Sequence, residues 1–208
     1  CTASGWQHLR QGWFLAHQSV GAVYNRCMHL CWGLSVAAFS QRILTHLLES
    51  VYPNVINRPS TGASNFSKLA QLIQLSGTVL RVPESVLSVG CMPPSGDWVF
   101  KSASNQRSVV HAVSRLDQAR YGAEPVLYQQ RVQGDNVRVH GFQGHCEAVR
   151  IEAVSVDYRY CADAVFRVCT LPKQIEQACV KLTHQLGLVL SGIDLIESDQ
   201  GWTILEVN

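Results

Sequence analysis

Three oxygen-bearing side chains near the end of the chain, Asp194, Glu206 and Asn208, are spaced to meet on one face of a β-hairpin. Ile193–Ile196 and Trp202–Val207 are rich in β-branched and aromatic residues. Between them, Ser198-Asp199-Gln200-Gly201 has the composition of a tight connection in which Gly201 takes a positive φ. A three-residue loop, Asp199–Gly201, pairs Ser198 with Trp202, Ile196 with Ile204 and Asp194 with Glu206. Asn208 then shares the face of Glu206, because side chains alternate along a strand. Carboxylates placed opposite each other repel, and a cation between them removes the conflict. Asp, Glu and an Asn carbonyl are hard oxygen ligands that suit Mg²⁺, which takes one or two carboxylates together with substrate phosphates. The competing reading is an ordinary solvated hairpin, and a slip of one residue would separate the trio.

Several earlier stretches can present cations to such a site. Phe66–Ser76, with Leu69, Leu72, Ile73 and Leu75 on its apolar side, reads as a helix capped by Ser64 or Asn65, with Lys68 near its start. Asp97–Lys101 reads as a strand ending in a lysine. The polar run Ser102–Ser108 and the apolar Val109-Val110 follow, so the two strands make a hairpin whose tip offers amides, hydroxyls and Arg107 to a phosphate. Val126–Val132, Asn136–His140 and Glu147–Val156 read as consecutive strands, with Arg138 on the face of Asn136 and His140, and Arg159 just beyond them. Arginines on one face form a cradle for anionic oxygens; singly, each is an ordinary surface residue.

The remaining elements are scaffolding. Val20–Tyr24 reads as a short strand, Phe39–Val51 as an amphipathic helix ended by Tyr52-Pro53, and Val55–Asn57 as a strand entering the loop Arg58–Asn65. Val79–Val82 and Val86–Val89 read as strands. Lys173–Leu186 reads as a helix that buries Ile175, Ala178, Cys179, Leu182 and Leu186 and is capped by Gly187.

Composition sets the class. The 208 residues, 47% hydrophobic and 15% charged, make a globular chain with room for a substantial core. The net charge of +2, with unclustered basic residues, gives no argument for a nucleic-acid surface, and no apolar run approaches membrane-spanning length. The 8 cysteines include no Cys-x-x-Cys and read as reduced thiols of a cytoplasmic protein. Cys27-Met28-His29-Leu30-Cys31 has the wrong spacing for structural zinc. A chain running from Cys1 to Asn208 without an initiating Met reads as a fragment.

In this order, Val55-Ile-Asn-Arg-Pro-Ser60 with Asn65–Lys68, Phe100–Ser108, Gly134–His140, Val156–Tyr160, Gly192-Ile-Asp-Leu195 and Leu205-Glu-Val-Asn208 resemble the ATP-grasp ligases of the RimK-like branch, nearest the microviridin-type peptide-maturation ligases. The resemblance implies an α+β, ATP-grasp fold in which two α+β subdomains clasp ATP. Residues 1–60 would be a shortened pre-ATP-grasp α/β region. Residues 61–125 and 126–208 would be the subdomains, the second truncated after the metal-binding strand. It also implies Lys68 and Lys101 as ATP-contacting lysines, and Gln129, Gln130, Arg131 and Val132 as a hinge meeting adenine through backbone groups. Asn136 falls near the ribose, Arg138 and Arg159 at the phosphates or acyl-phosphate, and Asp194, Glu206 and Asn208 at the Mg²⁺. One or two ions are expected, with Mn²⁺ as a substitute. The chain departs from the pattern in carrying Asn105 for a loop glycine and in lacking a Pro-Ser-Pro-Gly-like loop.

The implied reaction phosphorylates a carboxylate and then lets an amine or hydroxyl displace the phosphate. The acceptor is a peptide or protein, with a homo-oligomer compatible and no nucleic acid or membrane partner. No role falls to the cysteines, His140 or His145. The alternatives are a small-molecule ligase of glutathione-synthetase type, or a degenerate nucleotide-binding domain that only recognises a peptide.

Overall fold

The computed structural model describes residues 6–9, 12–15, 23–24, 43, 45–61, 67–91, 95–103, 110–113, 125–153 and 161–208. Two compact units divide the chain, Cys1–Thr61 and Gly62–Asn208.

In the first unit, β1 (Trp6–Leu9) and β2 (Gly12–Leu15) form an antiparallel hairpin. The short β3 (Val23–Tyr24) runs parallel to β4 (Val55–Ile56), with the helical residues 45–50, α1, lying between them in sequence. Leu48, Tyr52 and Val55 make the small core. The last carbonyls of α1 have no partners within the helix, and Arg58 supplies them. Its Nη1 donates to the carbonyls of Leu48 and Glu49 at 3.1 and 2.8 Å, and its Nη2 to those of Tyr52 and Pro53 at 3.1 and 2.9 Å. A fixed cation there also suits the negative end of the helix.

The second unit begins with α2 (Lys68–Leu75). Its N-cap is Ser67, whose hydroxyl accepts from Ala70 N, in place of the Ser64 or Asn65 expected. Leu72 and Leu75 are buried, but Ile73 is exposed, because the buried stripe runs through Gln71 instead. Val79–Val82 forms no strand. Only Arg81 bridges to Thr203, giving its N–H to Trp202 O and taking that of Ile204.

A four-stranded sheet follows, in the order β5-β8-β6-β7: β5 (Ser85–Val89), β6 (Trp98–Ser102), β7 (His111–Ala112) and β8 (Pro125–Gln130). One face packs Trp98, Phe100, Val126 and Tyr128 together. The β8 strand belongs to this sheet, so the division between sheets falls after residue 130.

The larger sheet is antiparallel, in the order β11-β10-β9-β12-β13: β9 (Asp135–Phe142), β10 (His145–Glu152), β11 (Val165–Cys169), β12 (Leu190–Ser198) and β13 (Gly201–Val207). Helix α3 (Lys173–Gln185) covers one of its faces. There Cys179 and Leu182 meet Val137, Val139, Ala148, Ile193, Leu195, Ile204 and Val207, all buried. Leu186 is the C-cap of α3, and Gly187 just after it, at φ 67°, turns the chain out of the helix in a conformation glycine adopts without strain. Burial also pushes the Cys179 thiol up to about 12, which makes it inert.

Candidate functional site

The face of the larger sheet away from α3 carries the chemistry. A row of cross-strand neighbours runs Val168, Val149, Arg138, Asp194, Glu206 from β11 to β13. Beside it runs Phe166, Ile151, Asn136, Ile196, Thr203. On the other side, His140 faces Gly192, which exchanges backbone hydrogen bonds with Asn208 at 2.7 and 2.8 Å.

The Asp194–Glu206 pairing expected from sequence is present, although the path to it differs. The connection is two residues, Asp199 and Gln200, with Ser198 paired to Gly201, Ile196 to Thr203 and Leu195 to Ile204. Continued unchanged, that register would pair Asp194 with Leu205 and point Glu206 into the core beside Ile193. A β-bulge between Asp194 and Leu195 takes up Leu205 as the extra residue and brings Glu206 opposite Asp194. The shorter loop and the bulge cancel.

Each carboxylate has a donor. Arg138 Nη1 lies 2.6 Å from Asp194 Oδ2, with both side chains largely buried. Asn208 Nδ2 donates to Glu206 Oε1 at 3.0 Å. The donor set, two carboxylates and an amide side by side, fits a hard divalent cation shared with a phosphate chain. Among the described residues no group of three or more His, Cys, Asp or Glu could hold a metal by itself, so an ion here would need further ligands. Elsewhere, Asp135 and Glu197 both pair with Arg150 on the opposite face. Burial and the nearby Arg138 charge hold the His140 imidazole below its usual pKa.

Two residues outside the expected set shape this face. Gly192 is buried, and a β-carbon on it would lie 2.6 Å from Cζ of Arg138, so the glycine gives the guanidinium its bed. A lone glycine within a strand marks such an approach, which was the available signal. The second is Gln71 of α2. Its Nε2 donates to Val207 O at 2.7 Å and its Oε1 accepts from Val207 N at 3.0 Å, as a neighbouring strand would. Helix α2 is thereby fixed to the end of β13, and Lys68 stands one turn earlier on the same helix.

Lys101 is 7% exposed on β6 beside Leu127, and its Nζ donates to Gln129 Oε1 at 3.3 Å; Gln129 Nε2 donates to Ser85 Oγ at 3.1 Å. Along the expected hinge, the N–H of Gln130 goes to Glu84 O and that of Arg131 to Asp97 O, at 2.8 and 2.9 Å. A base would therefore have to use carbonyls or the following Val132. The structure gathers Asn136, Arg138, Asp194, Glu206 and Asn208 on one face and joins Lys101 to Gln129 on the smaller sheet. Arg159, the 102–108 hairpin tip beyond Ala103 and Cys27–Cys31 lie outside the described residues.

No family model matches the sequence. A tetrahydromethanopterin:alpha-L-glutamate ligase of Methanocaldococcus jannaschii is 45% identical over 40 residues, 19% of this chain and 14% of that ligase, so the match spans a small part of its length. The ATP-grasp ligase PsnB, solved with a minimal precursor, superposes with a TM-score of 0.73 at 24% identity, covering 90% of this chain and 69% of PsnB. A further PsnB structure, at a TM-score of 0.72 and 23% identity over 90% and 70% of the two chains, holds a phosphomimetic precursor variant, Mg and ADP. The macrocyclase MdnC of Microcystis aeruginosa, bound to precursor peptide MdnA, superposes at 0.72 with 18% identity over 92% and 71%.

Proposed function

We propose that this chain, which has the ATP-grasp fold, is an ATP- and Mg²⁺-dependent ligase that activates a carboxylate of a peptide as an acyl-phosphate and passes it to an amine or hydroxyl. The observation that carries the reading is the single row Arg138, Asp194, Glu206, with Asn208 beside it. Peptide-bound PsnB and MdnC support the acceptor class, and the Mg and ADP in PsnB support the cofactors.

In this reading Asp194, Glu206 and Asn208 hold the ion, with Mn²⁺ accepted in its place. Bound Mg²⁺ would neutralise negative charge as it shifts from the attacking carboxylate oxygen to the leaving oxygen of ADP. Arg138 touches both the metal side of the row and the open part of the face. It orients Asp194 while presenting cationic N–H groups to the carboxylate being phosphorylated. Lys101, buried and held through Gln129, and Lys68, fixed through Gln71, serve the phosphates. Gln129–Val132 and Asn136 flank the nucleoside, and Arg159 is assigned the same phosphate or acyl-phosphate role as Arg138. No side chain becomes covalently attached, so the inert Cys179 is no obstacle.

The test is thermal stability with ATP, with and without Mg²⁺. At about 100 times Kd a ligand adds ~2.7 kcal/mol, a rise of roughly 5–10 °C for a domain of this size. The rise should require Mg²⁺ and vanish in Asp194→Asn and Glu206→Gln. An unchanged melting temperature in the native protein would overturn the proposal. ADP release that depends on an acidic peptide would separate a ligase from a peptide-recognition domain.

A further inference from the structure

The site face does not stop at Arg138. On β10 and β11 it becomes apolar, with Val149 and Val168 in the row of Arg138, and Ile151 and Phe166 in the row of Asn136. Val168 is 82% exposed and Phe166 62%, whereas Ile151, the cross-strand neighbour of Phe166, is buried. Among the described residues β11 is the outer strand of its sheet. Outer strands are normally blunted by charge on the open face. Here the charged residue of β11, Arg167, points to the other face and pairs with Glu152 at 2.9 Å. The face thus combines the exposed Val168 and Phe166 of β11 with a guanidinium at the inner border of the apolar strip.

We propose that this strip is the docking surface for the peptide whose carboxylate is activated, and that the peptide it selects has a large aliphatic or aromatic residue about three positions from the acidic one. The proposal rests on the ligase reading and deepens it. Continuity and charge both argue for this occupant. Arg138 draws the carboxylate to the metal end of the row, and the same row leads without interruption to Val149 and Val168. Two strand spacings separate β11 from β9, about 10 Å, which a peptide in the polyproline II conformation, with side chains i and i+3 on one side, crosses in about three residues. The carboxylate at Arg138 and the apolar side chain at Val168 can then be engaged together. Affinity comes from covering Val168 and Phe166, and register from the ion pair.

The experiment uses the whole chain and two labelled synthetic peptides, one with Leu three residues from its single Glu and one with Gly in place of that Leu. Binding is read by fluorescence anisotropy and turnover by ADP release. The Leu peptide should bind about tenfold more tightly than the Gly peptide, as expected for burying one such side chain, and its kcat/KM should be higher in proportion. Val168→Glu and the milder Val168→Ser should abolish that preference while leaving ATP/Mg²⁺ stabilisation intact. Equal binding of both peptides, or a preference that survives both substitutions, would overturn the proposal. So would a change of oligomeric state on size-exclusion chromatography without a change in preference, since the strip would then hold a second copy. A preference in binding that Val168→Glu removes, without ADP release from either peptide, would support the docking surface and retire the ligase reading alone.

Discussion

The guanidinium of Arg138 fills the space a side chain on residue 192 would need, so Gly192 and Arg138 act as one unit. Gly192→Ala must push the guanidinium off its bed and away from Asp194 Oδ2. Overpacking of this kind costs about 1–3 kcal/mol. That penalty should shrink when Arg138 is also truncated to Ala, because the obstructing group is gone. Urea denaturation of the two single variants and the double variant measures this coupling. Additive effects would show that the two residues do not share this space.

Gln71 takes the place of a missing strand beside β13. Gln71→Leu keeps the volume but leaves the buried N–H and C=O of Val207 without those bonds. Two backbone groups deprived of partners cost roughly 2–4 kcal/mol, read as a lowered urea midpoint. The same variant should weaken ATP/Mg²⁺ stabilisation, since Lys68 and Glu206 are held in common through this clasp. A variant of native stability would show that the amide only decorates the strand edge.

His140 gives the face a pH dependence of definite sign. Its pKa in the folded protein lies below the ordinary value, through burial first and the Arg138 charge second. The folded state therefore resists protonation. Its contribution to stability is complete above the unfolded value of about 6.5 and is lost as pH falls from there towards the folded value. Melting temperatures between pH 8 and 5 should fall less in His140→Gln than in the native protein. The His140 midpoint, followed by NMR, should rise in Arg138→Gln; an unmoved midpoint would mean the guanidinium is not felt at the ring.

The sequence was most readable where a pattern was local. Alternation disclosed β9 and most of β10, helical spacing disclosed α3, and a glycine marked its end. Asp194 and Glu206 could be paired because both the three-residue loop and the actual loop with its bulge bring the same residues opposite. The inner pairs could not be read, since a bulge is set by the sheet around it rather than by Leu205 itself. Strand β11 escaped notice because Val-Phe-Arg-Val, lying at the outer edge, has no inside and outside to alternate between. Val79–Val82 misled in the opposite sense. Its apolar composition suits a strand, but Arg81 alone finds a neighbour at the edge of β13. Gln71 carried no signal at all, because its partner lies 136 residues away.

The extra residue in β13 makes the constellation all-or-none. Flattening the bulge while keeping Leu205 would not slide Glu206 a few ångströms along the sheet; it would turn the carboxylate inward against Ile193 and turn Val207 out of the core. Deleting Leu205 as well reverses that inversion, because Glu206 then falls opposite Asp194 in an unbroken register. The bulge and the residue it takes up are consequently kept or lost together, and a descendant that lost the bulge alone would keep every residue of the trio and none of its arrangement.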